Sequence, residues 1–136
     1  MLEEIKSRII NTGRDTRYSI QAYEFFVLTK NILERVFNET NAAYRDFSAK
    51  KIVKSTVKTA TALYGPTAEY VLANMGILSA KDIGAIAFNL IDLGFWERNS
   101  ILGKYEDFVA ISQKPLFWKV KPKPLNMKNL KIFEDT

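Results

Sequence analysis

Apolar residues recur every three or four positions along most of the first 94 residues, which is the spacing of amphipathic helices. A short first helix is predicted from Leu2 to just before Gly13. Ser19 is a suitable N-cap for a long second helix from about Ile20 to Asn38, and Ser48 for a third helix that runs to about Tyr64. The pattern therefore predicts a mainly helical chain.

Turn residues between positions 65 and 94 predict a helix-turn-helix. Gly65 and Pro66 open its first helix, since proline is tolerated where a helical N–H is unpaired. Gly76 ends that helix and is expected to have a positive φ, because glycine suits the left-handed conformation found after a helix C-terminus. Ser79 is predicted to cap the second helix with its hydroxyl, and Gly94 ends that helix.

After Gly94 the pattern changes to one that favours strands. Phe95–Arg98 and Tyr105–Ile111 are rich in aromatic and apolar residues, and the loop between them contains Asn99 and Gly103, which are common in turns. We therefore predict a small β-ribbon behind the helix-turn-helix. The fold class would then be α+β, mostly α-helical and winged-helix-like, with an extended C-terminal tail.

Short motifs extend from about residue 14 to residue 108. They are Asp15-Thr16-Arg17-Tyr18, Ala22-Tyr23-Glu24-Phe25, Tyr64-Gly65-Pro66, Val71-Leu72, Gly76-Ile77, Ser79-Ala80-Lys81-Asp82-Ile83-Gly84, Phe88-Asn89-Leu90, Gly94 and Asp107-Phe108. Together they resemble the motifs of a family of small uncharacterised bacterial proteins. That family usually has histidine and glutamate where this chain has Asp46 and Ala85. The shared motifs mark turns and helix ends, so the resemblance implies a fold and no particular activity.

The C-terminal segment, residues 112–136, differs in composition from the single domain predicted for residues 1–111. Pro115, Pro122 and Pro124 exclude a continuous helix, so we predict an extended basic tail. The tail also carries large apolar residues, which a freely solvated segment would not need. The predicted partner-binding residues are Phe117, Trp118, Ile132 and Phe133. Two arrangements fit this pattern: a strap packed on the chain's own domain, and a segment docked on another subunit or ligand.

The chain contains no cysteine and no histidine. Disulfides, thiol nucleophiles, Ser–His catalytic triads and zinc sites with nitrogen or sulfur ligands are therefore excluded. An enzyme would have to rely on an oxygen-ligated metal such as Mg²⁺. The candidate ligands are Asp82, Asp92, Glu97, Glu106 and Asp107. Because nothing in the sequence shows that these carboxylates converge, we expect neither enzymatic activity nor a cofactor.

The net charge of +5 at pH 7 is concentrated in two parts of the chain. Residues 48–65 contain four lysines and no acidic residue, and the tail contains six lysines and two acidic residues. Lys50, Lys54 and Lys58 recur every four residues and so share one face of the third helix, with Lys51 beside them. Like charges at this spacing repel one another. The lysines are either an ordinary solvated face or a contact surface for an anionic partner.

The second helix of the helix-turn-helix is poorly suited to reading DNA. Its apolar face leaves a predicted outward set of Lys81, Asp82, Ala85, Asn89 and Asp92. A helix in the major groove needs donors towards bases and phosphates, and two aspartates there would repel the DNA backbone. Sequence-specific DNA recognition through this helix is therefore not expected.

The sequence favours a non-catalytic binding or assembly module, with a protein partner or a second copy of itself. The alternative is sequence-independent nucleic-acid binding by a lysine stripe and the tail, through Lys50, Lys51, Lys54, Lys58, Lys119, Lys121 and Lys123. An oxygen-ligated metal enzyme ranks third. No apolar run is long enough to span a membrane, and the acidic start Met1-Leu2-Glu3-Glu4 differs from a signal peptide, so a cytoplasmic location is expected.

Overall fold

The structure is a computed structural model that describes residues 2–13, 15–39, 47–98, 101 and 103–117. These residues contain the helices α1 (Leu2–Ile5), α2 (Ile20–Glu39), α3 (Ala49–Tyr64), α4 (Ala68–Asn74), α5 (Ala80–Asp92) and α6 (Tyr105–Ile111). A π-helical segment, Lys6–Ile10, continues α1, and a 3₁₀ turn, Gly65–Thr67, joins α3 to α4. None of the helices in these ranges combines the length and the apolar character that a membrane crossing requires.

Helix α5 is the centre of the fold. It packs against α6, α2 and α3, and Ile83, Ile86 and Leu90 are among its fully buried residues. Its approach to α6 is close because residue 84 is a glycine, where an added Cβ would lie 2.6 Å from Cγ of Phe108. Helix α1 packs against α2, and α4 packs against α3. The core thus forms around one short helix that neighbouring elements cover on most sides.

The predicted second and third helices are confirmed to within one residue of their predicted ends. Ser48 caps α3, and its hydroxyl accepts a hydrogen bond from Lys51 N at 3.2 Å. Four aromatic residues at the start of α2 and just before it are nearly fully buried: Tyr18, Tyr23, Phe25 and Phe26. Two apolar residues on α2 and α3 are 48% and 51% exposed, Val36 and Leu63. Both lie within one turn of the C-terminal end of their helix.

The predicted β-ribbon and the winged-helix-like fold are wrong. The described residues contain no strand, and the segment predicted as the second strand forms α6. Asp107 lies in the first turn of α6, where its carboxylate accepts a hydrogen bond from Lys104 N at 2.8 Å. Phe108 and Ile111 are three residues apart and both contact the core, as helical spacing requires. Packing and capping therefore override the β propensity of this segment.

The turn between α4 and α5 depends on Gly76. Its φ of 97° confirms the predicted left-handed conformation, and an added Cβ would lie 2.2 Å from the carbonyl oxygen of Arg17. Ser79 is the N-cap residue of α5, as predicted, and Asp82, three residues later, forms a capping box with it. The Asp82 carboxylate accepts hydrogen bonds from Leu78 N at 2.9 Å and Ser79 N at 3.0 Å. The Ser79 hydroxyl donates to the same carboxylate at 3.4 Å.

The beginning of the predicted tail packs on its own domain. Phe117 is 6% exposed and belongs to the core, and Leu116 packs against that core. The remaining predicted partner-binding residues, Trp118, Ile132 and Phe133, lie outside the described residues, as do Lys119, Lys121 and Lys123. Their roles therefore stay predictions.

Candidate functional site

Asp15 and Arg17 form an ion pair in the segment that precedes α2, residues 15–19, which we call the connector. Asn89 joins this pair to α5. Asp15 accepts hydrogen bonds from Arg17 Nε at 3.0 Å and Arg17 Nη2 at 2.8 Å, in a bidentate arrangement. Asn89 of α5 donates through Nδ2 to Asp15 Oδ2 at 2.9 Å and to the Tyr23 hydroxyl at 3.0 Å. The Asp15 side chain is 8% exposed, whereas that of Arg17 is 59% exposed. The buried carboxylate is therefore fully partnered, as a stable fold requires.

A second hydrogen-bonded pair lies nearby on the same connector. The hydroxyl of Tyr18 donates to Asp82 Oδ1 at 2.7 Å, and both residues are buried. The other carboxylate oxygen of Asp82 accepts the two backbone N–H groups at the start of α5. Ser19 N also donates to the carbonyl oxygen of Met75 at 3.3 Å. We call the residues Asp15, Arg17, Tyr18, Asp82 and Asn89 the connector cluster.

The protonation states of Asp15, Arg17 and Tyr18 are fixed at neutral pH. The hydrogen bonds from Arg17 lower the pKa of Asp15 from 3.8 to about 2, and Asn89 adds to this effect while burial opposes it. The hydrogen bond to Asp15 in turn raises the pKa of Arg17. Burial raises the pKa of Tyr18, as does its hydrogen bond to Asp82. Since neither Asp15 nor Tyr18 exchanges a proton near pH 7, the cluster is suited to holding the fold rather than to acid–base catalysis.

The carboxylates predicted as metal ligands have separate surroundings. Among the described residues, no group of three acidic side chains is arranged to hold a metal ion. Asp82 belongs to the connector cluster, and Asp107 caps α6. Glu97 and Glu106 are exposed, one after α5 and the other on α6. Nothing in these positions supports an oxygen-ligated metal enzyme.

The face of α5 that was predicted to point outward is largely covered. Asp82 and Ala85 are buried, and Asn89 is half-buried and bonded to the connector. Lys81 and Asp92 are exposed, as predicted. The connector and α6 occupy this side of the helix. Helix α5 therefore has no free face that could enter a DNA groove.

A shallow depression near the C-terminal end of α5 offers few binding groups. It is lined by Ile91, Gly94, Trp96, Glu97 and Arg98. The Trp96 indole N–H is buried and has no acceptor among the described residues. Its ring packs against Phe26, with 5.9 Å between ring centroids, so its position is explained by core packing. Arg98 already donates to the carbonyl oxygen of Ile101 at 2.9 Å.

Four exposed lysines form a continuous surface on α3. They are Lys50, Lys51, Lys54 and Lys58, and we call them the lysine face. None of the four forms an ion pair with an acidic residue in the described part of the chain. The opposite side of α3 is firmly held in the core through Ile52, Val53, Thr56, Val57 and Ala60. The lysines are therefore carried by a rigid element.

The lysine face is electrostatically unfavourable within this chain. Lys50 and Lys51 lie in the first turn of α3, which contains no acidic residue and where the helix dipole favours negative charge. Lys50, Lys54 and Lys58 repel one another across successive turns, at a cost of a few tenths of a kcal/mol, roughly, for each pair. An ordinary structural surface reduces such costs by mixing signs. No compensation of this kind occurs on α3.

One further exposed lysine, Lys104, lies near the N-terminal end of α3. A Cβ added at Gly103 would lie 3.0 Å from Ala49 N, so the backbone before α6 packs directly on the start of α3. Lys104, the next residue, is exposed. The acidic residues of that region are Glu106 and Asp107, and Asp107 is engaged by Lys104 N.

The lysine face was predicted from the sequence, whereas the connector cluster was missed. The Asp15-Thr16-Arg17 sequence contained one signal, because an acid and a base two residues apart can pair across a turn. Asp82, three residues after Ser79, contained another, since an acid at this position of a helix often accepts N–H groups of the preceding turn. The partnership of Asp15 with Asn89, 74 residues away, has no local signal.

Comparison of the chain with protein-family models, curated proteins and solved structures gives no match. The resemblance to a family of small bacterial proteins thus stays a prediction. The functional argument rests on the chemistry of the chain itself.

Proposed function

We propose that this protein is a non-catalytic module that binds the sugar-phosphate backbone of nucleic acid through the lysine face. The observation that supports this most strongly is a row of four exposed lysines on one helix without an acidic partner in the described residues. A polymer with regularly repeated negative charges is the natural complement of a regularly repeated row of positive ones.

The length of the lysine face matches a short stretch of one nucleic-acid strand. Lys50, Lys54 and Lys58 are separated by about 6 Å per step along the helix axis and about 12 Å in total. Phosphates recur about every 3.4 Å along each strand of a duplex, so the row spans roughly three to four nucleotides. Flexible lysine side chains can adjust to either a duplex or a single strand.

The contacts should carry little sequence information. Phe47 is the aromatic ring beside Lys51, 5.8 Å from its Nζ to the ring centroid, and Phe47 is fully buried. It is therefore unavailable for stacking on a base, which is how single strands are often held. Lysine contacts to phosphate position a protein on nucleic acid without reading the sequence. We thus expect binding that is sensitive to salt and indifferent to sequence.

This proposal ranks nucleic-acid binding above protein assembly. The sequence alone favoured the reverse order, with a protein partner or a second copy bound through the tail. Phe117, one of the predicted contact residues, is occupied by packing in its own domain. The lysine face is instead exposed and has no ion-pair partner in the part of the chain that the structure describes. Nucleic-acid binding is therefore the better supported use of the described surface, while a tail-mediated protein contact stays a prediction.

The test is fluorescence anisotropy with labelled single-stranded and duplex oligonucleotides of two unrelated sequences. The K50Q/K54Q/K58Q variant keeps polar side chains of somewhat shorter length and removes three charges. We expect it to bind at least about tenfold more weakly than the parent at about 50 mM salt. A matched control is K6Q/R8Q/K81Q, which removes three charges from exposed positions on other elements. Only a small loss is expected for the control.

Two results would contradict the proposal. One is a parent protein that fails to bind either oligonucleotide at low salt. The other is an equal loss of affinity in both triple variants, which would mean that net charge rather than the lysine face determines binding. Polyglutamate serves as a competitor, and preferential binding of polyglutamate over an oligonucleotide of equal charge would assign the face to an acidic protein instead.

A further inference from the structure

The outer face of α2 combines an exposed leucine with a charge at either end. Leu28 is 40% exposed, and Ile32, one turn later, is half-buried. Glu24 lies one turn before Leu28, and Arg35 lies three residues after Ile32; both are exposed. Neither charged residue forms an ion pair in the described part of the chain.

The two charges lie on the same side of the helix. Eleven residues separate Glu24 from Arg35, which is about three helical turns and about 16.5 Å along the axis. With about 100° of rotation per residue, their directions differ by only about 20°. Leu28 lies between them on that side. Glu24 and Arg35 are thus too far apart to pair within one chain but share a single surface.

We propose that this face binds the same face of a second copy of the chain, with the two α2 helices antiparallel. Glu24 of each chain then meets the partner's Arg35, and the Leu28 and Ile32 side chains of both chains lie between the two ion pairs. A two-fold dimer requires a patch that is complementary to itself, and an acid and a base on either side of an uncharged centre, which contains Leu28 and the exposed Asn31, satisfy this requirement. A parallel alignment would bring like charges together.

The size of the patch sets the strength of the dimer. Stable interfaces bury about 800 Å² on each partner, which is more than three turns of a single helix provide. We therefore expect a weak dimer, mainly monomeric at about 5 μM and mainly dimeric at about 500 μM. This inference is independent of nucleic-acid binding, because it concerns a different helix and is tested without nucleic acid.

Sedimentation equilibrium of charge-reversal variants tests the proposal. E24R and R35E alone should each shift the protein to monomer at about 500 μM, since each creates two like-charge contacts in the dimer. An equimolar mixture of the two variants should restore the dimer. In the mixed dimer, the two arginines of the E24R chain meet the two glutamates of the R35E chain. L28E should also weaken the dimer, by at least about tenfold in affinity. The matched controls are E69R on α4 and L63E on α3, which should dimerise like the parent.

Other outcomes overturn the proposal. A parent that stays monomeric at about 500 μM does so directly. A parent dimer that E24R and R35E leave intact would mean that another surface, such as the C-terminal segment, forms the contact. If Glu24 and Arg35 affected only the stability of the chain that carries them, each single variant would lower the melting temperature and mixing the two variants would not restore a dimer.

Discussion

The charged residues of the connector cluster and those of the lysine face differ in whether they have partners. In the connector cluster, each buried charge or hydroxyl has a specific partner, from the bidentate pair of Asp15 and Arg17 to the hydrogen bond between Tyr18 and Asp82. On the lysine face, four charges of one sign lie together at the surface without acidic partners in the described residues. The first arrangement stabilises the fold, and the second costs stability.

This difference distinguishes polar residues that stabilise the fold from polar residues that are available to bind a partner. Titratable groups that meet in a fold, as Asp15 and Tyr18 do, often suggest a catalytic site, but here their pKa values move away from neutrality and every carboxylate oxygen of Asp15 and Asp82 is bonded. The lysine face has no such explanation among the described residues, and its arrangement is the observation behind the proposed binding function. Substitutions in the two regions should therefore have opposite effects on stability.

The largest effect is expected where the connector touches the turn before α5. In G76N, the new Cβ would collide with the backbone carbonyl of Arg17, which lies 2.2 Å away and cannot move without displacing the connector. We expect the free energy of unfolding in urea to fall by about 3 kcal/mol or more. G94N is the control, because Gly94 also has a positive φ, 82°, but nothing lies within 4 Å of its added Cβ. A loss below about 1 kcal/mol is expected there. Equal losses in both variants would contradict close packing of the connector.

D15N is expected to lower the free energy of unfolding by a smaller amount that depends on pH. The pKa of Asp15 is about 2 in the folded state against 3.8 ordinarily, so the ionised group stabilises the fold above about pH 4, and this contribution disappears as the pH falls towards 2. Because the Arg17 side chain is 59% exposed, solvent weakens the pair and we expect a loss of about 1 kcal/mol at pH 7. Urea melts of D15N and the parent should converge near pH 2. E69Q, at an exposed acid on α4, should show no such convergence.

The smallest change in the free energy of unfolding, an increase rather than a loss, is expected for variants of the lysine face. K50Q/K54Q/K58Q removes repulsion between turns and an unfavourable charge near the helix N-terminus, so the free energy of unfolding should rise by about 0.5 kcal/mol. K30Q is the contrasting control, because Lys30 pairs with Glu34 at 3.1 Å and its loss should lower stability slightly. Thermal melts at low salt provide the comparison. A clear loss of stability in the triple variant would make the lysine face a structural feature and remove the contrast.

Much of the fold could be predicted because its signals are local. Ser48 caps α3, Gly76 has the expected positive φ, and the periodicity of α2 and α3 gave their ends. The prediction failed at Tyr105–Ile111, where aromatic and branched residues indicated a strand. The deciding contact, Phe108 packed against Gly84 of α5, joins residues distant in sequence. A single-sequence pattern contains no information about that contact.

The same limit applies to the two sites. The lysine face follows from the spacing of residues within one helix, so it is visible in the sequence, and its exposure agrees with the structure. The connector cluster depends on Asp15 reaching Asn89 and Tyr18 reaching Asp82, across 74 and 64 residues. Asp82 and Asn89 were therefore predicted to be outward residues of α5. They bond to a connector whose position is known only from the fold.

The salt dependence of binding tests the central claim most directly. If lysines of this face contact phosphates, the logarithm of the association constant for a duplex should fall linearly with the logarithm of salt concentration between about 50 and 200 mM, with a slope of about −0.9 per contact. K54Q should reduce the steepness of that slope by about 0.9, whereas K81Q, at an exposed lysine on α5, should leave it unchanged. A slope that is identical in the parent and K54Q would show that Lys54 does not contact phosphate and would contradict the assignment of the lysine face as the binding surface.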